Sequence, residues 1–469
     1  MEHNQSRGYA RAEGDGRVNY SGETASTRST MTTPRDAIVA VVLLCLTNLV
    51  GYLDRPVLAL MVTPIKASLH LSDGQMGLML GPAFIFSYAI AGLFIGRLVD
   101  RVNRRNILMI AAGIWSLSTA AGGFASSGTH LFIARMGVGI GEASLFPVAV
   151  SLIADYFPSE KRGKPLGFYI MAAYCGNGLS LILTGVLLPL ATSVAKFFAS
   201  EGAPLEPWRV VLFMMVVPGI ICCALLFRVK EPARRRDDVE SQDSKAGHAD
   251  WMAHVDVYLP LHLFMALVTL AMYAVTSWIP TVLIREYHVP IASAGFFSGS
   301  IIAITGILCV TSAGALSDRA SKKGGATGPL LMTLFCVALG LPGFVMLWYA
   351  SGPVVLMLGV FLTLIPHSMA LLSGLASLSN LSPARSRGWI TSVHFLLTGI
   401  LGVATGPVLV GYVNDWMGGA ASGDLGRVVS LVGIVSTVVA VLLAWLGMAR
   451  AKKMARHTEF QVGVKSQSV

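Results

Sequence analysis

Residues 96–105 read Gly96-Arg97-Leu98-Val99-Asp100-Arg101-Val102-Asn103-Arg104-Arg105, and the pattern returns 218 residues later as Gly314-Ala315-Leu316-Ser317-Asp318-Arg319-Ala320-Ser321-Lys322-Lys323. A second pair, residues 158–163 and 383–388, repeats at an offset of 225, with Pro158, Arg162 and Gly163 matched by Pro383, Arg387 and Gly388. All four stretches fall in short polar gaps between long apolar runs. A repeat at nearly constant offset means that the chain consists of two related halves.

The apolar runs decide what those halves are made of. A helix needs roughly 20 mainly apolar residues to cross ~30 Å of hydrocarbon. Twelve segments qualify: 37–62, 76–96, 106–126, 131–154, 165–191, 208–228, 257–284, 294–316, 329–350, 353–379, 389–413 and 427–448. With 54% of residues hydrophobic and 13% charged, about half the usual charged share, the chain cannot clothe itself in polar surface. Its 49 glycines suit helices that pack closely in lipid. The expected fold is an all-α membrane protein: twelve transmembrane helices as two six-helix bundles, with a pseudo-twofold axis along the membrane normal. The domains then read as a disordered tail over 1–36, bundles over 37–228 and 257–449, a linker over 229–256 and a basic tail over 450–469.

The net charge of +10 does not indicate nucleic acid, because the cations sit in loop clusters and not along one face. Counted on alternate sides of the span map, 28 Lys and Arg fall on the side of the termini, linker and repeated loops. Five fall on the other: Lys66, Lys196, Arg209, Arg285 and Arg427. By the positive-inside rule both termini are cytoplasmic, in what we read as a bacterial inner membrane. The first 36 residues do not resemble a secretory signal. All six cysteines lie in apolar runs without paired spacing, so neither a zinc site nor a disulfide framework is expected. The spans hold no His/Asp metal cluster and no nucleophile–base pair, so no cofactor and no enzymatic activity is expected.

Charges inside spans carry the functional signal, since each costs at least ~2.5–3.5 kcal/mol at a helix centre unless paired or wetted. Asp54 and Arg55 lie in the first span, Arg135 and Glu142 in the fourth. Arg135 and Glu142 are seven residues, two turns, apart and share a helix face. Counting residues inward at ~1.5 Å each puts Asp54 about 15 Å and Glu142 about 16 Å below the same surface. The expected network pairs Arg55 with Glu142 and Asp54 with Arg135. A carboxylate at that depth is a natural proton carrier, and the proton is the expected coupling ion. At the offset of 225 Glu142 maps onto His367 and Asp155 onto Asn380, so the second half lacks these carboxylates. His367, His394, Tyr52, Phe146, Tyr174 and Tyr273 are the candidate cavity residues. In the repeated loops, Gly96, Asp100, Arg101, Arg104, Gly314, Asp318 and Arg319 are expected to form a cytoplasmic latch whose ion pairs break as the halves rock.

The Gly-x-Leu-x-Asp-Arg-x-x-Arg-Arg loop, its weaker second copy and the Arg135-x-x-x-Gly139-x-Gly141 run resemble the signatures of the major facilitator superfamily over about residues 37 to 450. The loop departs from the pattern at Asn103, where that superfamily usually has Gly. Asn48 to Arg55, Gly141-Glu142-Ala143-Ser144 and Ala154-Asp155-Tyr156-Phe157-Pro158 are similar to the Spinster-like branch. That resemblance implies a transporter moving an amphipathic lipid, of the lysophospholipid or sphingolipid class, with protons; we expect it to function as a monomer. Proton symporters of small organic acids share a similar Tyr-Leu-Asp-Arg run, which makes hexuronate or aromatic-acid uptake the alternative. Multidrug efflux and a transporter-like receptor rank below both.

Overall fold

The computed structural model describes residues 33–200, 205–234, 244–383, 386–419 and 423–467. Twelve helical spans are present: Pro34–Gly51, Asp73–Val99, Arg104–Gly123, Gly128–Tyr156, Ser159–Ser200, Pro207–Leu226, Val255–Arg285, Ile291–Gly324, Gly328–Trp348, Pro353–Leu381, Arg387–Trp416 and Leu425–Met448, numbered here 1 to 12. The short seventh-to-sixth link is not empty: a helix, Ser244–Ala253, lies between spans 6 and 7. Residues 1–32 of the expected tail lie outside the described residues. Thr33 already caps span 1, its hydroxyl accepting from the Asp36 N–H at 3.3 Å while the Asp36 carboxylate accepts from the Thr33 N–H at 2.9 Å. At the other end the helix of span 12 continues to Gln467, so the described part of the segment read as a basic tail is helical. The departure at Asn103 has a local use. Its side chain accepts from the Asn106 N–H at 3.1 Å and caps span 3, with φ −62°, so no glycine is required there.

Four spans are interrupted near their middles. Beyond Gly51 the chain of span 1 turns and continues as helices Val57–Leu60 and Val62–Leu69, which we count with span 1; in span 2 the break is at Gly81, and in span 4 it separates Glu142 from Leu145. Pro56, Pro82 and Pro147 stand just beyond these breaks, and each lacks the N–H that an unbroken helix would donate four residues back. Span 11 contains a π-helical segment, Thr398–Ala404, where the Thr405 hydroxyl donates to the Ile400 carbonyl at 2.9 Å. Irregular backbone at membrane depth survives where protein groups satisfy it. Accordingly, the Ser180 hydroxyl donates to the Leu53 carbonyl and Arg135 Nη1 donates to the Asp54 carbonyl at 3.0 Å.

We call the side bearing the start of span 1 and the end of span 12 the tail side. Packing differs across the molecule. On the far side a single apolar core joins both halves, with Leu60, Ile65 and Leu181 of the first packed with Ala274, Trp278 and Ala294 of the second. Toward the tail side this core divides in two, one cluster around Leu108, Leu152 and Tyr156 and another around Leu261, Phe264 and Ala444. The glycines follow the same division. A Cβ on Gly178 would sit 2.4 Å from the Gly299 carbonyl oxygen, and one on Gly81 would sit 2.4 Å from the Ala404 carbonyl oxygen, an approach only glycine permits. A Cβ on Gly96 or Gly314, at the tail side, would meet nothing within 4 Å. The halves are therefore sealed on the far side and parted on the tail side.

Candidate transport site

The breaks in spans 1 and 4 place Arg55 and Glu142 opposite each other. Arg55 Nε donates to Glu142 Oε2 at 2.5 Å; the arginine side chain is 19% exposed and the glutamate 0%. The guanidinium lies 3.8 Å from the Tyr52 ring centre, 4.4 Å from that of Phe84 and 5.6 Å from that of Tyr88, so aromatic faces take up the part of its charge that Glu142 does not. Tyr273 of span 7 lies within electrostatic range of the same guanidinium and brings the second half to the site. Glu142 Oε1 is buried with no hydrogen-bond partner among the described residues. A half-satisfied buried carboxylate gains by accepting a proton or a ligand donor.

Beside this pair sits a second polar group with a different construction from the one expected. The Asp54 carboxylate accepts from the Thr119 hydroxyl at 3.0 Å, and Arg135 reaches the Asp54 main chain, not its carboxylate. The predicted Asp54–Arg135 ion pair is thus replaced by a backbone contact, because the broken helix exposes a carbonyl nearer to the guanidinium. Asp54 Oδ1 and Arg135 Nε have no partner among the described residues, and they line a cavity of about 10 Å³, the space of one water.

The other candidates distribute unevenly. Phe146 is 45% exposed and lies 6.5 Å, centre to centre, from Tyr169 of span 5. Tyr174 packs against Gly306 where spans 5 and 8 meet. His367 is not at a central cavity: it is fully buried against Gly340 and Phe344, its Nδ1 bonded to the Thr363 carbonyl at 2.9 Å and its Nε2 to the Thr437 hydroxyl at 3.3 Å. Nδ1 is used within span 10, Nε2 ties span 10 to span 12, and the ring packs against span 9. His394 pairs with His262 across spans 7 and 11, their Nδ1 atoms 3.5 Å apart.

The latch expectation is corrected in its partners. Arg104, 1% exposed, donates through Nε to Glu231 at 2.6 Å, through Nη1 to Asp155, and through Nη1 to the Ser151 hydroxyl at 2.9 Å. Ser151 and Asp155 lie on span 4 and Glu231 in the linker just past span 6, so the cluster fastens spans 3 and 4 to the end of the first half and need not break when the halves move. Asp100 and Arg101 are exposed, and the Asp100 contribution is its carbonyl, which accepts from Arg234. Asp318 and Arg319 are exposed and form no ion pair among the described residues.

Ion pairs between the halves lie on the far side, where the sequence reading placed none. Asp73, the first residue of span 2, is wholly buried. Both its carboxylate oxygens accept from Arg285 Nη1, at 2.9 and 3.0 Å, one also from Lys66 at 2.9 Å and the other from the Asn414 amide at 2.8 Å. In return the Asp415 carboxylate accepts from the N–H groups of Asp73 and Gly74, at 3.0 and 2.7 Å, where the helix dipole favours an anion. A signal was present in the sequence: four of the five basic residues on the cation-poor side, all but Lys196, are ion-paired here. A cation that persists against the topological bias has a carboxylate to hold.

Two six-span bundles that meet around a buried ion pair and part on one side define a polytopic membrane transporter. Residues 44–400 match the Major Facilitator Superfamily, and the chain belongs to that family. Within it the protein is Spinster-like. It is 28% identical over 406 residues to protein spinster homolog 1 of Xenopus tropicalis, covering 81% of this chain and 73% of that one. It is 24% identical over 425 residues to an MFS-type efflux pump of Mycolicibacterium smegmatis, covering 90% and 94%. In fold it is similar to the crystal structure of a bacterial homologue of the human lysosomal transporter Spinster, inward-facing and unoccupied. The TM-score is 0.76 at 22% identity, over 91% of this chain and 98% of that one.

Proposed function

We propose that this protein is a secondary active transporter that works by alternating access and couples protons to the movement of an amphipathic, lipid-like substrate of the lysophospholipid or sphingolipid class. The observation that carries the reading is Arg55, a single cation in an aromatic surround, held at 2.5 Å by a fully buried carboxylate at the point where two spans are broken. Protonating Glu142 removes the countercharge and frees Arg55 for an anionic head group; losing the proton restores the pair and expels the head group. The apolar walls suit an acyl or sphingoid chain better than a sugar, which needs many polar partners. Segments 37–228 and 257–449 act as the two rocking bodies. The tail side is the cytoplasm of a bacterial inner membrane, from the 28-to-five bias, so the described state opens inward. The unit of function is a monomer in the bilayer, without cofactor.

Small organic acids are the second reading, since one guanidinium also suits a carboxylate. The test is uptake into proteoliposomes under an imposed pH gradient, comparing a lysophospholipid with an aromatic acid. Lysophospholipid uptake driven by the gradient, with Glu142→Gln inserted but unresponsive to pH, is the expected result. An unchanged pH profile in Glu142→Gln removes the coupling role, and uptake of the aromatic acid alone transfers the assignment to the second reading.

A further inference from the structure

The helix Ser244–Ala253 lies on the tail-side ends of spans 7 and 11, far from Arg55, and meets them through aromatic rings. Gly247 is flush with Trp389, where a Cβ would sit 2.5 Å from the Trp389 Cβ. The His248 ring meets Trp389 edge-on at 5.7 Å, and Trp251 stacks on His262 at 6.5 Å. Trp251, Tyr258, Leu378, Trp389 and Ile390 form an apolar cluster separate from the bundle cores. Beneath it lie His262, 0% exposed, and His394, 5% exposed, about two turns inside their spans.

The hydrogen bonds here run in one direction only. An indole N–H can donate but not accept. Trp251 Nε1 donates to His262 Nε2 at 3.2 Å, so that nitrogen carries no proton. A neutral His262 then carries its proton on Nδ1, which faces His394 Nδ1 at 3.5 Å. His394 Nδ1 must accept, and its proton sits on Nε2. The chain Trp251 to His262 to His394 is complete with both rings neutral. A proton added to His262 sets an N–H against the indole N–H. A proton added to His394 sets its Nδ1–H against that of His262. Either event replaces a hydrogen bond with two opposed donors, and the weakest point is the contact to the short linker helix.

We propose that this linker helix is a pH-responsive strap, docked on the second bundle while the His262–His394 pair is neutral and released when the pair takes up a proton. Because the helix belongs to the only connection between the two halves, its release lengthens the tether between them when the compartment on that side acidifies. The other ionisable groups at this end of the bundle are Asp250 and His248 on the linker helix, His254 at its end, Asp256 and Tyr258 at the start of span 7, Arg450 paired with Asp256, and Arg387 at the start of span 11. Asp250 lies 3.6 Å from His254 Nδ1, so protonating His254 adds an attraction within the linker segment, opposite in sense to the effect on the pair. That difference allows the sources to be separated.

The test uses the full chain in nanodiscs, with spin labels carried on keto amino acids at Met252 of the linker helix and Leu396 of span 11, 52% and 46% exposed. Both positions ride with the second bundle, so rocking of the halves leaves their separation unchanged. At about pH 8 one short distance is expected, and at about pH 4, acid enough to protonate a buried imidazole, a longer population joins it. The double variant His262→Gln with His394→Gln, which keeps an acceptor for Trp251 and removes both titrating rings, is expected to abolish the longer population, while His248→Gln and His254→Gln keep it. Trp251→Phe retains the ring without the donor, and is expected to show the longer population already at pH 8. A wild-type distribution identical at both pH values overturns the proposal, as does a pH response that persists in the double variant His262→Gln with His394→Gln or disappears in His248→Gln.

Discussion

At one corner of the first half Arg104 gathers Asp155, Glu231 and Ser151; at the matching corner of the second half Asn380 stands where Asp155 maps, and its amide reaches Ser321 at 3.4 Å. The same contrast holds at depth. Glu142 receives Arg55, while its counterpart His367 bonds to Thr363 and Thr437. One repeat thus carries ionised pairs and the other neutral hydrogen bonds at equivalent places. A buried ion pair adds little to stability, because desolvation offsets its attraction. Neutral hydrogen bonds fasten helices without that penalty. On the proposed mechanism the second half serves as a frame, and the first half keeps charges for the proton to move between.

Breaking one charge of the central pair is the largest test of this contrast. Arg55→Ala strands Glu142, for which roughly 3–5 kcal/mol is at stake, and transport is expected to fall by at least ~100-fold while the protein stays inserted. His367→Gln at the matching place is expected to leave transport within a few-fold; equal loss in both variants in a proteoliposome assay ends the division of labour. Next in size is the corner cluster. Arg104→Ala is expected to lower the melting temperature of the solubilised protein through a loss of similar order, ~3 kcal/mol. Arg319→Ala, exposed, should stay within ~0.5 kcal/mol.

The far-side network gives a conformational effect of intermediate size. Asp73→Asn removes the countercharge of Arg285 and Lys66, and is expected to open the far side. Probes at Phe124 and Tyr349, both 75% exposed, read it as a longer far-side distance. An unchanged distance means that the apolar core alone closes that side.

Two carboxylates outside the spans give the smallest effect. Burial pushes Glu206 up, but hydrogen bonds from Ser68, Arg209 and Trp208 outweigh it and hold its pKa below the usual range. Burial likewise pushes Glu286 up, and here it prevails over the N–H groups of Gly426 and Leu425. A depressed carboxylate stabilises above its unfolded pKa, near ~4.3, and that stability is lost as pH falls through the folded value. Glu206→Gln should therefore destabilise slightly at pH 7 and become neutral in acid. Glu286, with the opposite shift, stabilises the fold only in its protonated form, so Glu286→Gln should be neutral or mildly stabilising at pH 7. Melting curves of both variants at pH 7 and in acid check the sign.

Much of this molecule was readable along the chain. Bilayer thickness requires spans of a certain length, so apolar runs alone located all twelve, and the repeated loops divided them six and six. Helix rise then put Arg55 and Glu142 at one depth, where few alternatives exist for a buried charge. Less was readable around each helix. In lipid every face of a span is apolar, so hydrophobic pattern does not say which face meets which neighbour. That is why the sequence places His367 at a cavity while the structure packs it among spans 9, 10 and 12, and why the partners of Arg104, Asp155 and Glu231, are legible only in the structure.

What the sequence determined by itself, then, is the set of spans, their two-fold repetition and the charges that share a level, because length and depth are counted along one helix. Tertiary structure alone decided which side is closed, through Asp73 meeting Arg285 over a gap of 212 residues, and which rings meet at the linker helix. Those contacts depend on how two bundles lean against each other, a choice to which local periodicity is blind.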